Sequence, residues 1–257
     1  MKILISNDDG IMAPGISVLK NYLEKDHEVY IVAPDVERSA TGHAITIRNP
    51  LWAKKVEINQ EFFGYAVNGT PADCIKLGAL AIYKDIDFDL VISGINRGAN
   101  MGTDILYSGT VSAALEGAIT GYPSIAVSSA EFNDPMFETA GQVIIDLLNK
   151  IDVKKIPEFT TLNVNVPNIP IDEIKGFKVT RQSTRRYEDY FDERTDPYGN
   201  SYYWMLGKIV EDDDTENSDY HYVNKNYVSI TPLSVFLTNK EYLDKLIRVI
   251  EEWNYGS

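Results

Sequence analysis

Two adjacent carboxylates, Asp8 and Asp9, stand directly after the apolar run Ile3-Leu4-Ile5, inside Ser6-Asn7-Asp8-Asp9-Gly10. Neighbouring side chains on a straight strand point to opposite faces, so both acids can serve one ligand only where the chain is already turning. Gly10 permits that turn. An acid pair of this kind suits a hard divalent cation such as Mg²⁺ or Mn²⁺, which takes oxygen ligands, and either acid can accept a proton from water. The plain alternative is an Asx/Gly turn with two solvated acids.

A second chemical signal is the long loop from Asn96 to Tyr107, which ends at Ser108-Gly109-Thr110. Loops of this length inside a compact domain are uncommon and tend to be functional. Its end reads as a helix N-cap whose amides and hydroxyls either hold a phosphate or simply cap the helix. Asn96 follows an apolar run and offers a neutral oxygen at the same sheet edge as Asp8 and Asp9. A third signal, Ala33-Pro34-Asp35-Val36-Glu37-Arg38-Ser39-Ala40-Thr41-Gly42-His43, puts Ser39 on a loop at the crevice edge. His43 is open to three readings, as an acid, a phosphate donor or a packed imidazole. Asn68-Gly69-Thr70 matches a glycosylation sequon but reads better as a turn and cap before a helix at Ala72.

These residues need elements to position them. Lys2–Ser6, Glu28–Ala33, Leu90–Ser93 and Ser124–Ser128 read as buried parallel strands, because they are short, rich in Ile and Val, and scarcely alternate. Gly15–Lys25, Ala72–Tyr83, Val111–Thr120 and Met136–Ile151 carry apolar residues at three- and four-residue spacing and read as helices. The series predicts a doubly wound α/β sheet with right-handed crossovers, whose ligands bind outside the carboxyl ends of the strands. Thr161–Val166 adds a further strand, and Glu241–Trp253 reads as a closing helix.

Composition narrows the partners. The chain has 257 residues, with 24 basic and 38 acidic side chains and a net charge of -14. That balance repels nucleic-acid polymers and anionic membranes, whereas a small phosphorylated molecule stays within reach once a metal intervenes. Cys74 is the only cysteine, so no intrachain disulfide framework exists. There is neither a secretory pattern at the N-terminus nor an apolar run long enough to span a bilayer, so a cytoplasmic protein is expected.

The stretch from about 176 to 226 differs from the rest. It holds seven of the 16 tyrosines, a Pro197-Tyr198-Gly199-Asn200 turn and the acidic run Glu211–Asp214. Aromatic strands about a turn read as a hairpin, packed on its own core or on a partner subunit. The acidic run reads as a solvated loop. As an EF-hand it fails, since Asn217 stands where the Gly belongs and Val223 where the bidentate Glu belongs.

Together these residues resemble the survival protein SurE family of metal-dependent nucleotidases. The carrying segments are Ser6–Gly10, Val32–Thr46, Asn68–Gly78, Asp89–Gly117 with its Ser-Gly-Ile-Asn-Arg-Gly-Ala-Asn run, and Tyr227–Leu233. The resemblance implies a Rossmann-like three-layer α/β sandwich with a mostly parallel sheet, built as one domain with a C-terminal β-hairpin arm. The core would be residues 1–175 and 227–257, and the arm, residues 176–226, would serve a homodimer or tetramer. It further implies phosphatase activity on nucleoside 5′- and 3′-monophosphates, with polyphosphate as a further substrate to test. One divalent metal per subunit, Mg²⁺ or Mn²⁺, would be held by Asp8, Asp9, Ser39 and Asn96. Asp8 and Asp9 are also the candidate catalytic residues. Asn100, Ser108, Gly109, Thr110, Thr41, Gly42 and His43 are the candidate phosphate or substrate contacts.

The chemistry is consistent with those types. A dication with two carboxylates sums to about zero, so a phosphate dianion approaches without the repulsion further acids would add. Attack by metal-activated water is the expected mechanism. A haloacid-dehalogenase-type phosphatase would need a nucleophilic Asp where Asn7 stands before Asp9. A receiver-type phosphorylation switch would need an Asp and a Lys where Ser93-Gly94-Ile95-Asn96 and Ser128-Ser129-Ala130 stand.

Overall fold

Along β1 (Lys2–Ser6), Ile3 and Ile5 enter one apolar cluster and Leu4 another, so the strand is buried on both faces. That explains why its residues scarcely alternate. The protein is described by a computed structural model covering residues 1–210 and 216–251. The acidic run Glu211–Asp214 lies outside the described residues, as do Glu252 and Trp253 at the end of the anticipated closing helix.

After β1 come α1 (Pro14–Leu23), β2 (Glu28–Pro34), β3 (Ala53–Ile58), β4 (Glu61–Val67), α2 (Pro71–Leu77) and β5 (Leu90–Arg97). Next are α3 (Gly109–Ile119), β6 (Ser124–Ser129), α4 (Phe137–Leu148), β7 (Thr160–Val166) and β8 (Phe177–Val179). The chain closes with β9 (Arg186–Thr195), β10 (Ser201–Val210), α5 (Asp219–Val223), β11 (Val228–Ser234) and α6 (Lys240–Glu251). Nine strands form one sheet in the order β3-β4-β2-β1-β5-β6-β7-β11-β8. From β4 to β7 every neighbouring pair is parallel, while β3 and β11 run antiparallel to β4 and β7. Helices α1 and α4 cover one face, packing on Ile5, Ile92, Val127 and Val164, and α2 and α3 cover the other over Leu4, Val32 and Val91. The expected Rossmann-like sandwich is the observed one.

Three features depart from the expectations. The hairpin β3–β4 has no counterpart in the sequence reading, because β3 is half exposed and its turn uses Asn59 and Gln60 at positive φ rather than a glycine. The stretch expected as an arm divides. β8 and α5 join the main body through β11, and only β9 and β10 form the projecting two-stranded hairpin, paired from Arg186↔Val210 to Thr195↔Ser201 around the anticipated turn. Finally, α6 forms as expected but buries none of its described residues. Its apolar stripe of Leu243, Leu246, Ile247 and Ile250 is left uncovered. No helix among the described residues is long and apolar enough to cross a membrane.

Thr70 caps α2, as its sequence context indicates. Its hydroxyl accepts from the Asp73 amide at 3.1 Å, and the Asp73 carboxylate accepts from the Thr70 amide at 2.9 Å. Asp73 also takes the amide and hydroxyl of Thr46 at 2.8 and 2.6 Å, which ties the loop after β2 onto this helix. Thr70→Ala should therefore cost about 1 kcal/mol and lower the thermal midpoint by roughly 2–4 °C. An unchanged unfolding curve would show that the cap does not hold this corner.

Candidate active site

The carboxyl ends of β1 and β5 and the start of α3 meet at one edge of the sheet. Immediately after the acids, Gly10 adopts φ +97, and the Ile11 amide returns to the Pro34 carbonyl at 2.8 Å, so the chain turns where two adjacent side chains must share one region. Asp8 is buried, and the Thr110 hydroxyl donates to its Oδ1. Burial pushes the Asp8 carboxyl up, while the Thr110 hydroxyl and the amides of Thr110 and Gly109 pull the other way. Gly109 permits the close approach, because a Cβ there would stand 2.7 Å from the Asp8 Cβ. The Asp8 carbonyl is held as well, by the Arg38 amide at 2.7 Å.

Asp9 is half-buried and its Oδ2 accepts from the Arg97 amide at 3.3 Å. Burial, and after it the neighbouring Asp8 charge, pushes its carboxyl up to about 6. Two acids raised by burial, one of them also by the other's charge, make a site that a dication relieves. Among the described residues no group of three or more His, Cys, Asp or Glu is placed to hold a metal. A cation here must therefore complete its shell with neutral oxygens and water, as Mg²⁺ and Mn²⁺ readily do. The donor set fits that requirement. Asn96 donates Nδ2 to the Gly98 carbonyl at 2.8 Å, which makes Oδ1 the atom it could offer a cation. Ser39 follows the Arg38 that binds Asp8, although its hydroxyl donates to Glu37 Oε1 at 2.8 Å. The Asn7 Oδ1, next to the acids, is buried without a partner.

The remaining candidate residues separate by what they touch. Ser108 accepts from the Val111 amide at 3.1 Å and so caps α3, as the plain reading of that segment holds. Asn100 is buried above β6 and β7, with Nδ2 on Ser128 at 2.8 Å and its carbonyl taking Asn163 and Asn165 at 2.8 and 3.0 Å. It anchors the loop. Thr41 closes a turn onto the Arg38 carbonyl at 2.9 Å, and the Gly42 amide reaches the Tyr107 carbonyl at 3.0 Å. These contacts bring the Ser39 loop beside the start of α3. His43 Nε2 lies 2.9 Å from Glu116, whose other oxygen meets Lys76 at 2.6 Å. Burial works to raise the Glu116 carboxyl, but the hydrogen bonds from His43 and Lys76 outweigh it and hold the group below its usual range.

Sequence reading did not single out several of the residues of a cavity that adjoins the acids. A cavity of about 480 Å³ opens beside Asp9, lined by Met12, Val36, Glu37, Arg97 and Phe137 among others. The Arg97 guanidinium stacks over Phe132 at 4.3 Å. Arg97 adjoins Asn96 in sequence and was findable by that adjacency. Met12 and Val36 carry no chemical signal.

An α/β sheet with an acid pair at the end of its first strand, held against a helix N-terminus, defines a Rossmann-like protein with a candidate ligand site at the carboxyl edge of its sheet. The family model described as survival protein SurE matches residues 3–189. The protein named 5'-nucleotidase SurE of Petrotoga mobilis is 67% identical over 246 residues, covering 96% of this chain and 98% of its own. Its namesake in Kosmotoga olearia is 61% identical over 254 residues, covering 99% and 100%. The crystal structure of the SurE protein from Aquifex aeolicus, at 43% identity, superposes with a TM-score of 0.84 over 98% of this chain and 100% of that one. This chain belongs to the SurE family.

The raised Asp9 carboxyl has a signature in the metal-free protein. Its folded-state value of about 6 exceeds the ordinary 3.8, so its contribution to stability, full below about pH 4, is lost as the pH rises through 6. After allowance for solvent screening, wild type should lose on the order of 1–2 kcal/mol relative to Asp9→Asn between pH 4 and 7. Urea unfolding of both proteins across that range checks this, and parallel stability curves would contradict it.

Proposed function

We propose that this protein is a metal-dependent phosphomonoesterase that releases phosphate from nucleoside 5′- and 3′-monophosphates. One observation carries the reading, the acid pair at the end of β1 held against the N-terminus of α3, in a chain whose relatives bear the name 5'-nucleotidase SurE. Asp8, Asp9, Ser39 and Asn96 would hold one Mg²⁺ or Mn²⁺ per subunit, which when bound supplies Lewis-acid polarisation of a phosphoryl oxygen and lowers the pKa of a water. The remaining work belongs to the chain. Thr110 and the first amides of α3 fix Asp8 in place, and the positive end of the helix favours the phosphate dianion beside it. Asp9 borders the cavity and is the more open of the two acids, so it is the one poised to accept a proton from water.

The cavity beside Asp9 receives the nucleoside. Met12, Val36 and Phe137 offer apolar surface to a base, with Glu37 and Arg97 at a polar edge. Asp35 and Glu37 in its lining repel a second or third phosphate, which favours monophosphates and makes polyphosphate the weaker substrate. A cytoplasmic location, where free nucleotides and Mg²⁺ occur together, accords with this reading.

A second copy of the chain is the partner for the exposed aromatic hairpin and for the uncovered stripe of α6. Tyr190, Phe191, Tyr203, Trp204 and Met205 are all exposed on the hairpin, and a two-stranded ribbon is marginal without something to pack on.

Chelation of divalent ions should abolish phosphate release from a nucleoside 5′-monophosphate, and Mg²⁺ or Mn²⁺ should restore it. Full turnover in metal-free buffer would refute the metal role. Replacing Glu188–Lys208 with a short turn should shift the mass seen by light scattering toward the protomer. A wild-type protein that is already monomeric would refute the pairing.

A further inference from the structure

The loop that leads into Ser108–Thr110 is tied at its centre to the base of the hairpin, and the Arg185 side chain carries the charged part of that tie. Arg185 immediately precedes β9. Its Nη1 donates to Asp104 Oδ2 at 2.9 Å, and the two side chains are only 10% and 15% exposed. Its carbonyl takes the Thr103 amide at 2.9 Å and the Thr103 hydroxyl at 3.1 Å. The rings of Tyr187 and Tyr220 lie under the guanidinium at 5.9 and 5.7 Å and screen it from water. Asp104 in turn sets the end of the loop, since its carbonyl accepts the amides of both Tyr107 and Ser108 at 3.0 Å. Ser108 caps α3, and Thr110 in its first turn binds Asp8. Neighbouring bonds brace the same point. Gln182 donates to the Gly102 carbonyl at 2.7 Å, and Asp219 takes the Gly102 amide at 3.2 Å and the Ser183 amide at 3.0 Å.

We propose that Arg185 is a positioning residue for the loop that leads into α3, setting the Asp104 turn and through it the start of the helix whose positive end would face the phosphate. The proposal rests on the proposed function, in which the positive end of α3 is the phosphate side of the site. A charge-assisted hydrogen bond shielded from water holds its geometry far better than an exposed ion pair. Because the next residue opens β9, the seating of the hairpin is felt at the loop. Lysine keeps the charge but lacks the planar fork, and it recovers only part of the effect.

The test uses the full-length, Mn²⁺-loaded protein and the variants Arg185→Gln, Arg185→Lys, Asp104→Asn and the Arg185→Gln/Asp104→Asn double. Hydrolysis of a nucleoside 5′-monophosphate, binding of inorganic phosphate and of Mn²⁺ by calorimetry, and mass by light scattering are read on each. Arg185→Gln and Asp104→Asn should each lower kcat/KM at least tenfold and weaken phosphate binding, while Mn²⁺ affinity stays within about twofold and mass is unchanged. The double variant should be no worse than either single, as expected for two groups acting through one bond. Asp104→Asn, nearly isosteric, decides the matter if Arg185→Gln does not fold. Wild-type kinetics in both singles, losses that multiply in the double, or activity lost only together with mass would each overturn the proposal. A wild-type protein that releases no phosphate from any monophosphate would instead defeat the nucleotidase reading, and the calorimetric phosphate binding of the variants would still decide the role of Arg185.

Discussion

Burying the Asp8 carboxylate against the first turn of α3 is the constraint on which the rest of the site depends. A charge taken out of water is costly unless hydrogen bonds replace its hydration, and here the Thr110 hydroxyl and the amides of Gly109 and Thr110 offset only part of that cost. The arrangement works only because β1 lies within the run of parallel strands from β4 to β7, which deliver their carboxyl ends to one edge. It also needs a helix that starts with a residue lacking a Cβ. Asp9, one residue on, is less buried and has fewer donors, and so differs from its neighbour in character.

That difference matters for the electrostatics of an acidic protein. At a net charge of -14 the chain as a whole repels phosphate, so a local reversal of sign is needed for an anion to bind. Under the proposed function the start of α3 would supply part of it, and a cation held by the acids the remainder. If the adjoining cavity takes the nucleoside as proposed, the acids that line it would act as a filter, leaving a neutral base and sugar unopposed while raising the energy of additional phosphates.

The outer parts of the molecule obey a different logic. The hairpin β9–β10 and the helix α6 present large apolar side chains to solvent, the surfaces on which the proposed pairing with a second copy would form. Yet the hairpin is not loosely attached. Its first strand grows from the knot of Arg185, Asp104, Asp219 and Gln182, so the most projecting element and the most chemically demanding loop share one anchor.

Much of this was legible in the order of residues. The sheet's parallel strands were readable because strands buried on both faces become continuous apolar runs, and the acid pair, Asn96 and Ser108–Thr110 could be placed at the sheet edge because they follow those runs. The resemblance of several segments in order identified the family. The half-exposed hairpin β3–β4 was not legible, since a strand covered on one side with a turn lacking glycine carries little local signal. Nor was the engagement of His43 by Glu116, of Asn100 by Ser128, Asn163 and Asn165, or of Arg185 by Asp104. Those pairings join residues tens of positions apart, and residue types alone do not say which of many acids a given base will meet. The sequence determined the elements and the kind of chemistry available at their ends, because local periodicity and turn residues act over a few positions. Only the tertiary structure decided which side chains share a bond, because that depends on where nine strands and their helices bring distant parts of the chain together.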